Sequence, residues 1–326
     1  MSDHSALAEM LVNRVRKNQR KLAAWRKREG VSCYRIYDRD IPEIPLTIDW
    51  YAGRLHAAEW ARKRDYDDPE AAAQRNAWLV RNLGEALGCE PRAVYLKARQ
   101  RQRGAEQYRR AGRRYDPDKE ARREAVEEGG LRFWVNLRDY VDTGLFLDHR
   151  TTRGMVRDAA PSKRVLNLFA YTGSFTVYAA AGGAAQTTTV DLSQTYLDWA
   201  TENLRLNGLD GLDHSFVRAD TREFLVDARN RGRTWDLVIC DPPTFSNSKR
   251  TDSVFDVGRD QAPLLRTIRS VLSPEGQVVF STNFKKFKLD EATFTGYEVE
   301  EISDKTVPQD FRDRRIHRCW WARRQG

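Results

Sequence analysis

The sequence predicts an α/β protein: in its C-terminal half a mostly parallel sheet covered by helices on both faces, and ahead of it a basic amphipathic helix and a small α+β module. Three observations predict this. From about residue 148 onward, short apolar runs alternate with segments of helical periodicity, the pattern of strands joined by crossover helices. One of those runs, Leu237-Val-Ile-Cys240, is apolar throughout, as a strand buried on both faces must be, and it stops abruptly at Asp241-Pro242-Pro243. Finally, the excess positive charge is concentrated in two runs of the N-terminal half.

Residues 4–29 read as a helix because Leu7, Met10, Leu11, Val15, Leu22 and Trp25 recur at helical spacing and Gly30 follows. Arg14, Arg16, Lys17, Arg20 and Lys21 then line the face away from that stripe. Extended segments are expected at 32–37, 46–51 and 54–60, punctuated by Pro42, Pro45 and Gly53, with Tyr51-Ala-Gly-Arg54 as a hairpin turn. A helix over 69–87 has Pro69 at its start and Gly88 beyond its end. Residues 93–98 extend again, 99–123 are basic with little periodicity, and 131–137 resume an extended pattern after Gly129-Gly130. In the C-terminal half, strands are expected at 164–168, 187–190, 215–218, 237–240 and 276–281. Helices are expected at 174–181, 194–207, 221–229 and 259–271, and Cys319-Trp-Trp321 falls in a last strand. The implied domains are 1–30, 31–140 and 141–326.

A chain of 326 residues has room for two domains of ordinary size. Its formal net charge is +9 and its mean hydropathy −0.72. No apolar stretch approaches the ~20 residues of a membrane span, and Met1-Ser-Asp-His-Ser lacks a signal-peptide core. A cytoplasmic protein with no membrane partner is expected. Cys33, Cys89, Cys240 and Cys319 are widely spaced, with no Cys-x-x-Cys pair and no histidine at ligand spacing, so neither a disulfide framework nor a metal site is expected. Residues 1–30 carry a net +5 and residues 97–123 a net +7. Such clustering suits a polyanion, because each neutralised phosphate releases counterions; either run alone is also compatible with a solvated helix face. Arg101 and Arg103 in the second run, and Lys249, Arg250, Lys285 and Lys286 near the sheet, join the helix cations as candidate RNA contacts. Most of the nine tryptophans are expected in the core.

Open α/β sheets bind ligands at the carboxyl ends of their strands. The loop after the first C-terminal strand, Phe169-Ala-Tyr-Thr-Gly173, has one glycine and is not the Gly-x-Gly-x-x-Gly loop that admits a pyrophosphate. Asp191, ending the second strand, is placed to accept from ribose hydroxyls, and Asp220, after the third, from an adenine amino group. Each also precedes a helical segment and is a candidate N-cap. A nucleoside ligand without pyrophosphate, with an acidic Asp-Pro-Pro turn at the fourth strand, points to S-adenosylmethionine.

Here the chain resembles the class I S-adenosylmethionine-dependent methyltransferases, and within them the bacterial large-subunit (23S) rRNA guanine-N7 methyltransferases, which occur free-standing or as the C-terminal half of a fused enzyme. The match is carried by Asn13-Arg-Val-Arg-Lys-Asn18, Cys33-Tyr-Arg-Ile-Tyr-Asp38, Asn136-Leu-Arg-Asp-Tyr-Val-Asp-Thr-Gly-Leu-Phe-Leu-Asp-His-Arg150, Asn167-Leu-Phe-Ala-Tyr-Thr-Gly173, Glu202-Asn-Leu-Arg-Leu-Asn-Gly208 and Asp241-Pro-Pro-Thr-Phe-Ser-Asn-Ser-Lys249. The resemblance implies a Rossmann-like domain with a mostly parallel seven-stranded sheet, preceded by a small α+β RNA-binding domain. It implies that Asp191, with Leu192 and Ser193, holds the cofactor ribose and Asp220 the adenine. The loop of Asn167, Phe169, Ala170, Tyr171, Thr172, Gly173 and Ser174 would take the methionine portion, with Asp148 and Asn203 near the cofactor. Asp241, Pro242, Pro243 and Phe245 would frame the target base, Asp241 also touching the cofactor. The implied substrate is 23S rRNA, near the peptidyl-transferase region, or a pre-ribosomal large-subunit particle. Because the fused relative carries a second activity, a separate partner that opens the rRNA helix is also implied.

Chemistry narrows the target atom only in part. Cytosine C5 requires a cysteine adduct. Where related cytosine enzymes place that cysteine, this chain has Ser281-Thr-Asn-Phe284, and Cys240 lies inside a strand. Guanine N7 has a free lone pair and no proton to remove, whereas guanine N2 and adenine N6 remain compatible with the turn. A non-catalytic RNA-binding assembly factor would explain the charge equally well but would not need Asp191, Asp220 and Asp241 at successive strand ends.

Overall fold

The structure, a computed structural model, describes residues 2–60, 68–99, 122–140, 142–246 and 254–324. By its contacts the chain forms two compact units, Met1–Thr143 with Gln309–Asp313, and Gly144–Pro308 with Arg314–Gly326.

The first unit begins with α1 (Ser2–Glu29). Leu11, Val15, Leu22 and Trp25 form its buried stripe. Met10, one position from Leu11 and so rotated about a quarter-turn off that stripe, is 49% exposed rather than inward as the spacing predicts. The helix ends because Gly30 takes a left-handed φ of +58°, which lets the Val31 N–H reach the Arg26 carbonyl at 3.0 Å. Strands β1 (Cys33–Asp38), β2 (Leu46–Tyr51) and β3 (Arg54–Trp60) form an antiparallel meander, and β4 (Val94–Arg99) joins β3 in parallel. The β2–β3 turn has Ala52 at φ +47° and Gly53 at +95°, the two positive values of a tight hairpin loop. Helix α2 (Pro69–Ala86) is capped by Asp68, whose carboxylate accepts from the Ala71 N–H at 2.9 Å.

Helix α1, this sheet and α2 share one apolar core, in which Leu11, Val15 and Trp25 meet Ile36, Ile48, Leu55, Leu79 and Leu83. Strands β5 (Glu124–Glu128) and β6 (Leu131–Val135) make a separate hairpin; β5 is not predicted, because the basic residues before it hide its alternation of buried Val126 and Glu128 with exposed neighbours. Residues 309–313 return to this unit. Asp310 accepts the Arg35 N–H at 2.9 Å, and the Arg35 guanidinium pairs with Asp49 at 2.8 Å and lies 4.3 Å over the Phe311 ring. None of the nine tryptophans is exposed.

The second unit opens with a single 3₁₀ turn (Leu147–His149) and α3 (Arg150–Ala159). The doubly wound part follows: β7 (Arg164–Leu168), α4 (Ser174–Ala181), β8 (Gln186–Asp191), α5 (Gln194–Leu206), β9 (His214–Arg218), α6 (Thr221–Asn230), β10 (Trp235–Cys240), a short β11 (Phe245–Ser246) paired with β12 (Phe255–Asp256), α7 (Val257–Ser270) and β13 (Leu272–Thr282). Then come β14 (Tyr297–Glu301), α8 (Ser303–Thr306) and β15 (Arg318–Arg324). The seven-stranded sheet runs β14-β15-β13-β10-β7-β8-β9, with β15 antiparallel to both neighbours. Helix α3 escapes a search for apolar periodicity because its inward positions include Arg150, Thr152 and Arg153 beside Val156. Burial on both faces explains the unbroken apolar runs. Leu166, Val238 and Phe280 pack on one side, Val165, Leu237 and Val279 on the other.

Strand order reverses between β7 and β10, so the loops that leave these strands part and open a crevice at the carboxyl rim. Register decides what lines it. Cys240 is level with Leu168 and Phe280, and Leu168 with Val190. The next residue along each strand therefore stands in one row across the rim: Ser281, Asp241, Phe169 and Asp191.

Candidate active site

The loop after β7 is held in an unusual backbone shape. Phe169 and Tyr171 both have positive φ, +53° and +52°, a conformation uncommon for aromatic residues and one that surrounding contacts must impose. Those contacts are present. The Tyr171 N–H donates to Asp191 Oδ2 at 2.9 Å, the Ala170 N–H to the Val190 carbonyl at 3.0 Å, and Thr172 Oγ1 to the Gly144 carbonyl at 2.5 Å. Asn203, fully buried, donates its amide to the Thr172 carbonyl at 2.9 Å, so it acts on the crevice through the loop. Asn167 is likewise turned inward, its amide on Thr176 Oγ1 at 3.0 Å. Ser174 begins α4, half-buried.

Gly173, just before α4, has φ +70°, and a Cβ there would lie 2.6 Å from the Ala200 Cβ. Gly173→Ala is therefore expected to cost about 2–4 kcal/mol, from left-handed backbone strain plus overpacking, and to weaken cofactor binding by moving the loop. Denaturant melts and ligand titration measure both; an unchanged midpoint would contradict the close approach.

Asp191 ends β8 with each carboxylate oxygen accepting a backbone N–H, Oδ2 from Tyr171 and Oδ1 from Ser193 at 2.8 Å. Burial raises its carboxyl to about 6, against the lowering effect of the Ser193, Tyr171 and Leu192 amides. Each oxygen retains a lone pair for a hydroxyl donor. Leu192 and Ser193 beside it are half-buried. Tyr171 meets Tyr196 edge-on at 4.6 Å and Phe146 at 5.1 Å between ring centroids, an aromatic group missed in the sequence because its members lie far apart.

Asp220 is the N-cap of α6. Its Oδ1 accepts from the Arg222 N–H at 2.8 Å, and its Oδ2 lies 3.2 Å from the Arg222 guanidinium. The capping alternative is thus realised, and any ligand contact there must share these oxygens.

Asp241 leaves β10 with its side chain 26% exposed. Ser281, on β13, donates to its Oδ1 at 2.7 Å, and His149 Nε2 lies 3.5 Å from its Oδ2. Pro242 is buried, and Pro243 and Phe245 are half-buried. Phe169 contacts Phe255 of β12 at 5.5 Å between centroids. Cys240, one residue before, is fully buried, and burial first, then the neighbouring Asp241 charge, push its thiol up.

Asp148, His149 and His317 form a group that sequence spacing does not show, since His317 lies 169 residues from Asp148. His317 Nδ1 is 3.0 Å from Asp148 Oδ2. Burial favours the neutral acid at Asp148, but the two imidazoles outweigh it and hold the carboxyl well below the usual range. A carboxylate only accepts, so His317 Nδ1 is the donor. These three residues offer ligand atoms within 4.8 Å of one another. His317, however, already engages Asp148 through Nδ1 and Thr306 through Nε2 at 3.0 Å, so a metal would have to break one of those contacts.

Arg14, Arg16, Lys17, Arg20 and Lys21 are exposed on α1, Arg16 also donating to the Ala86 carbonyl at 3.0 Å. Lys285 and Lys286 are exposed beyond β13. Arg101, Arg103, Lys249 and Arg250 lie outside the described residues.

A seven-stranded sheet with one antiparallel strand, a single-glycine loop after its first parallel strand, and acids at the rims of β8 and β10 define a class I, Rossmann-like methyltransferase fold. The chain belongs to the S-adenosylmethionine-dependent methyltransferase family, whose signature matches residues 45–313. It is 45% identical over 323 residues to the ribosomal RNA large subunit methyltransferase K of Neisseria meningitidis, covering 96% of this chain and 87% of that protein. It is 49% identical over 319 residues to the ribosomal RNA large subunit methyltransferase K/L of Methylococcus capsulatus, covering 96% of this chain but only 42% of that protein. Among solved structures, SMU.776 complexed with SAH superposes with a TM-score of 0.75 at 24% identity, over 97% of this chain and 81% of that one. The SAM-dependent methyltransferase of Agrobacterium tumefaciens does so with a TM-score of 0.60 at 18% identity, over 91% of each chain. At these identities the two structures speak for the fold alone.

The donor set fits S-adenosylmethionine. Asp191 offers acceptors suited to ribose hydroxyls, Asp148 and Asp241 offer negative charge to a cationic ligand, and the single-glycine loop suits a ligand without pyrophosphate. No helix among the described residues is long and apolar enough to cross a membrane.

Proposed function

We propose that this chain methylates N7 of a guanine in large-subunit 23S rRNA, near the peptidyl-transferase region. The observation that carries this reading is the Asp241 carboxylate at the crevice rim, its Oδ1 accepting from Ser281 at 2.7 Å, with no reactive thiol beside it. The relatives' names supply the substrate class, and the exposed cations of α1 supply a surface for its phosphates. S-adenosylmethionine brings a methyl group already activated as a sulfonium.

The chain's own task is alignment and electrostatics. Holding the reactants in line is worth ~7–11 kcal/mol in favourable cases. Attack by N7 places positive charge on the guanine. Asp241 meets that charge and can accept from the base's N1–H and N2–H groups. Pro242 and Pro243 fix the turn that presents it, and Phe245 contributes apolar surface beside the base. A cytosine-C5 mechanism needs a thiolate; Cys240 and Cys319 are both fully buried with thiols pushed up, first by burial and next by Asp241.

The decisive experiment maps modified nucleosides in 23S rRNA, by mass, from cells with and without the gene. Loss of one 7-methylguanosine supports the reading, and loss of an N2-methylguanosine or a 5-methylcytosine instead would replace it. A second arm addresses the basic helix. Replacing Arg14, Lys17 and Lys21 with Ala should weaken RNA binding without regard to sequence and flatten the salt dependence. For single-stranded RNA the log–log slope should fall by roughly 0.7 for each phosphate that is no longer neutralised. An unchanged slope would remove α1 from the interface.

A further inference from the structure

Two stacked, buried imidazoles, His149 and His317, go unused by the proposed chemistry, and His149 is the one that reaches Asp241. His149, 5% exposed, closes the 3₁₀ turn ahead of α3. Its ring is stacked on His317, with centroids 4.4 Å apart and planes within 10°, and meets Phe175 edge-on at 5.7 Å. Packed on these sides, it has little room to swing. Its two nitrogens differ sharply. Nδ1 is buried with no hydrogen-bond partner among the described residues, whereas Nε2 points between two carboxylates, 3.5 Å from Asp241 Oδ2 and 3.8 Å from Asp148 Oδ2.

We infer that His149 is a positioning residue: its Nε2–H holds the second oxygen of Asp241, so that the carboxylate faces the target base in one orientation. Ser281 alone grips only Oδ1 and leaves the group free to rotate about its last bond. With a donor on each oxygen, one from β13 and one from the turn before α3, that rotation is stopped. Carboxylates cannot donate, so the proton facing them is on Nε2. Burial draws the imidazole toward its neutral form, against the pull of Asp241 and Asp148, while His317 and Arg153 also disfavour a second positive charge; the neutral ring has one N–H, and the structure directs it here. This inference rests on the reading in which Asp241 faces the base.

The competing view is that the ring merely fills space between His317 and Phe175, and substitutions separate the two. His149→Phe keeps a ring and its stacking but removes the N–H. His149→Gln places an amide N–H near the position of Nε2, and His149→Asn places one near Nδ1, too short to reach. Methyl transfer is followed in single turnover on 23S rRNA from cells lacking the gene, alongside calorimetric affinity for S-adenosylhomocysteine and crystal structures of the variants. We expect H149F to slow methyl transfer about 10–100-fold, as for a reacting group displaced by up to an ångström, with cofactor affinity near that of the unaltered protein. We expect H149Q to recover most of the rate and H149N to recover little.

In the crystals, the Asp241 carboxylate should turn away from its original plane in H149F and return in H149Q. Equal losses in H149F and H149Q, or an unmoved carboxylate in H149F, would overturn the inference. Should H149F not fold, the contrast between H149Q and H149N decides the matter in the same way. Absence of methylation by the unaltered protein would defeat the functional reading instead, and the carboxylate orientation would still test His149.

Discussion

Replacing Asp241 with Ala is expected to lower methyl transfer by about three orders of magnitude or more while leaving S-adenosylhomocysteine affinity within a few-fold. The reasoning is electrostatic. Positive charge appears on the base only as the new bond forms, so a fixed carboxylate beside it stabilises the transition state far more than the ground state. Losing one preorganised polar group of this kind costs roughly 10²–10³ in turnover, and removing a full charge should cost at least that much. Asp241→Asn, which preserves shape and can still accept from Ser281, should fall short of Ala's loss, and Ser281→Ala should cost far less than either. The diagnostic is the split between rate and binding. Near-normal single-turnover rates in D241A would remove Asp241 from the chemistry, and a parallel collapse of cofactor affinity would reassign it to the cofactor.

Asp191 should govern the other half of the site. Asp191→Ala removes two acceptors for hydroxyl donors and strands the Tyr171 and Ser193 N–H groups that now rest on the carboxylate. Charge-assisted hydrogen bonds are worth about 1.5–3 kcal/mol each, so S-adenosylhomocysteine affinity should fall at least a hundredfold, or about 2.7 kcal/mol.

The raised acid adds a pH signature. Hydroxyl donors favour the carboxylate, so binding below its titration near 6 must also expel a proton. Affinity should be level in this respect above about pH 7 and fall as pH drops through 6, by up to tenfold per unit. Stability of the free protein should move in the opposite sense. Because the folded-state value lies above the unfolded one, the native state holds the extra proton between them, and this group's contribution to stability declines as pH rises through that window. Calorimetry at about pH 5 and pH 8 tests the binding side. An affinity that does not change between them, or D191A binding as tightly as the unaltered protein, would refute the assignment.

Much of this site was legible because it follows from strand periodicity. Wherever an apolar run ends in an acid, the parallel register brings that acid to the same rim, and so the placing of Asp191 and Asp241 in one row is readable from the sequence. Asp220 was legible only as an ambiguity. An acid before a helix serves as a cap whether or not it also serves a ligand, and the structure shows the cap. His149 and His317 were hidden for a different reason: their relation to Asp148 is made by the closing of the chain, not by spacing along it. The same limit explains α3, whose buried face carries Arg153 with its guanidinium on the Phe146 carbonyl at 2.9 Å, a polar interior invisible to a hydrophobic pattern. Asn167 and Asn203 were expected at the ligand. In the structure the Asn203 amide holds the Thr172 carbonyl of the loop and the Asn167 amide holds Thr176 Oγ1 on α4, because a fully enclosed amide needs partners of its own.

The return of residues 309–313 to the N-terminal unit bears on how this molecule can be taken apart. Its backbone passes from one body to the other more than once, so no single scission separates them cleanly. A piece beginning at Gly144 would carry Asp310 and Phe311 away from Arg35, leaving the acid without the backbone N–H it accepts and the aromatic ring without the guanidinium that covers it. Residues 1–143 are therefore expected to need the 309–313 stretch of chain in order to mature.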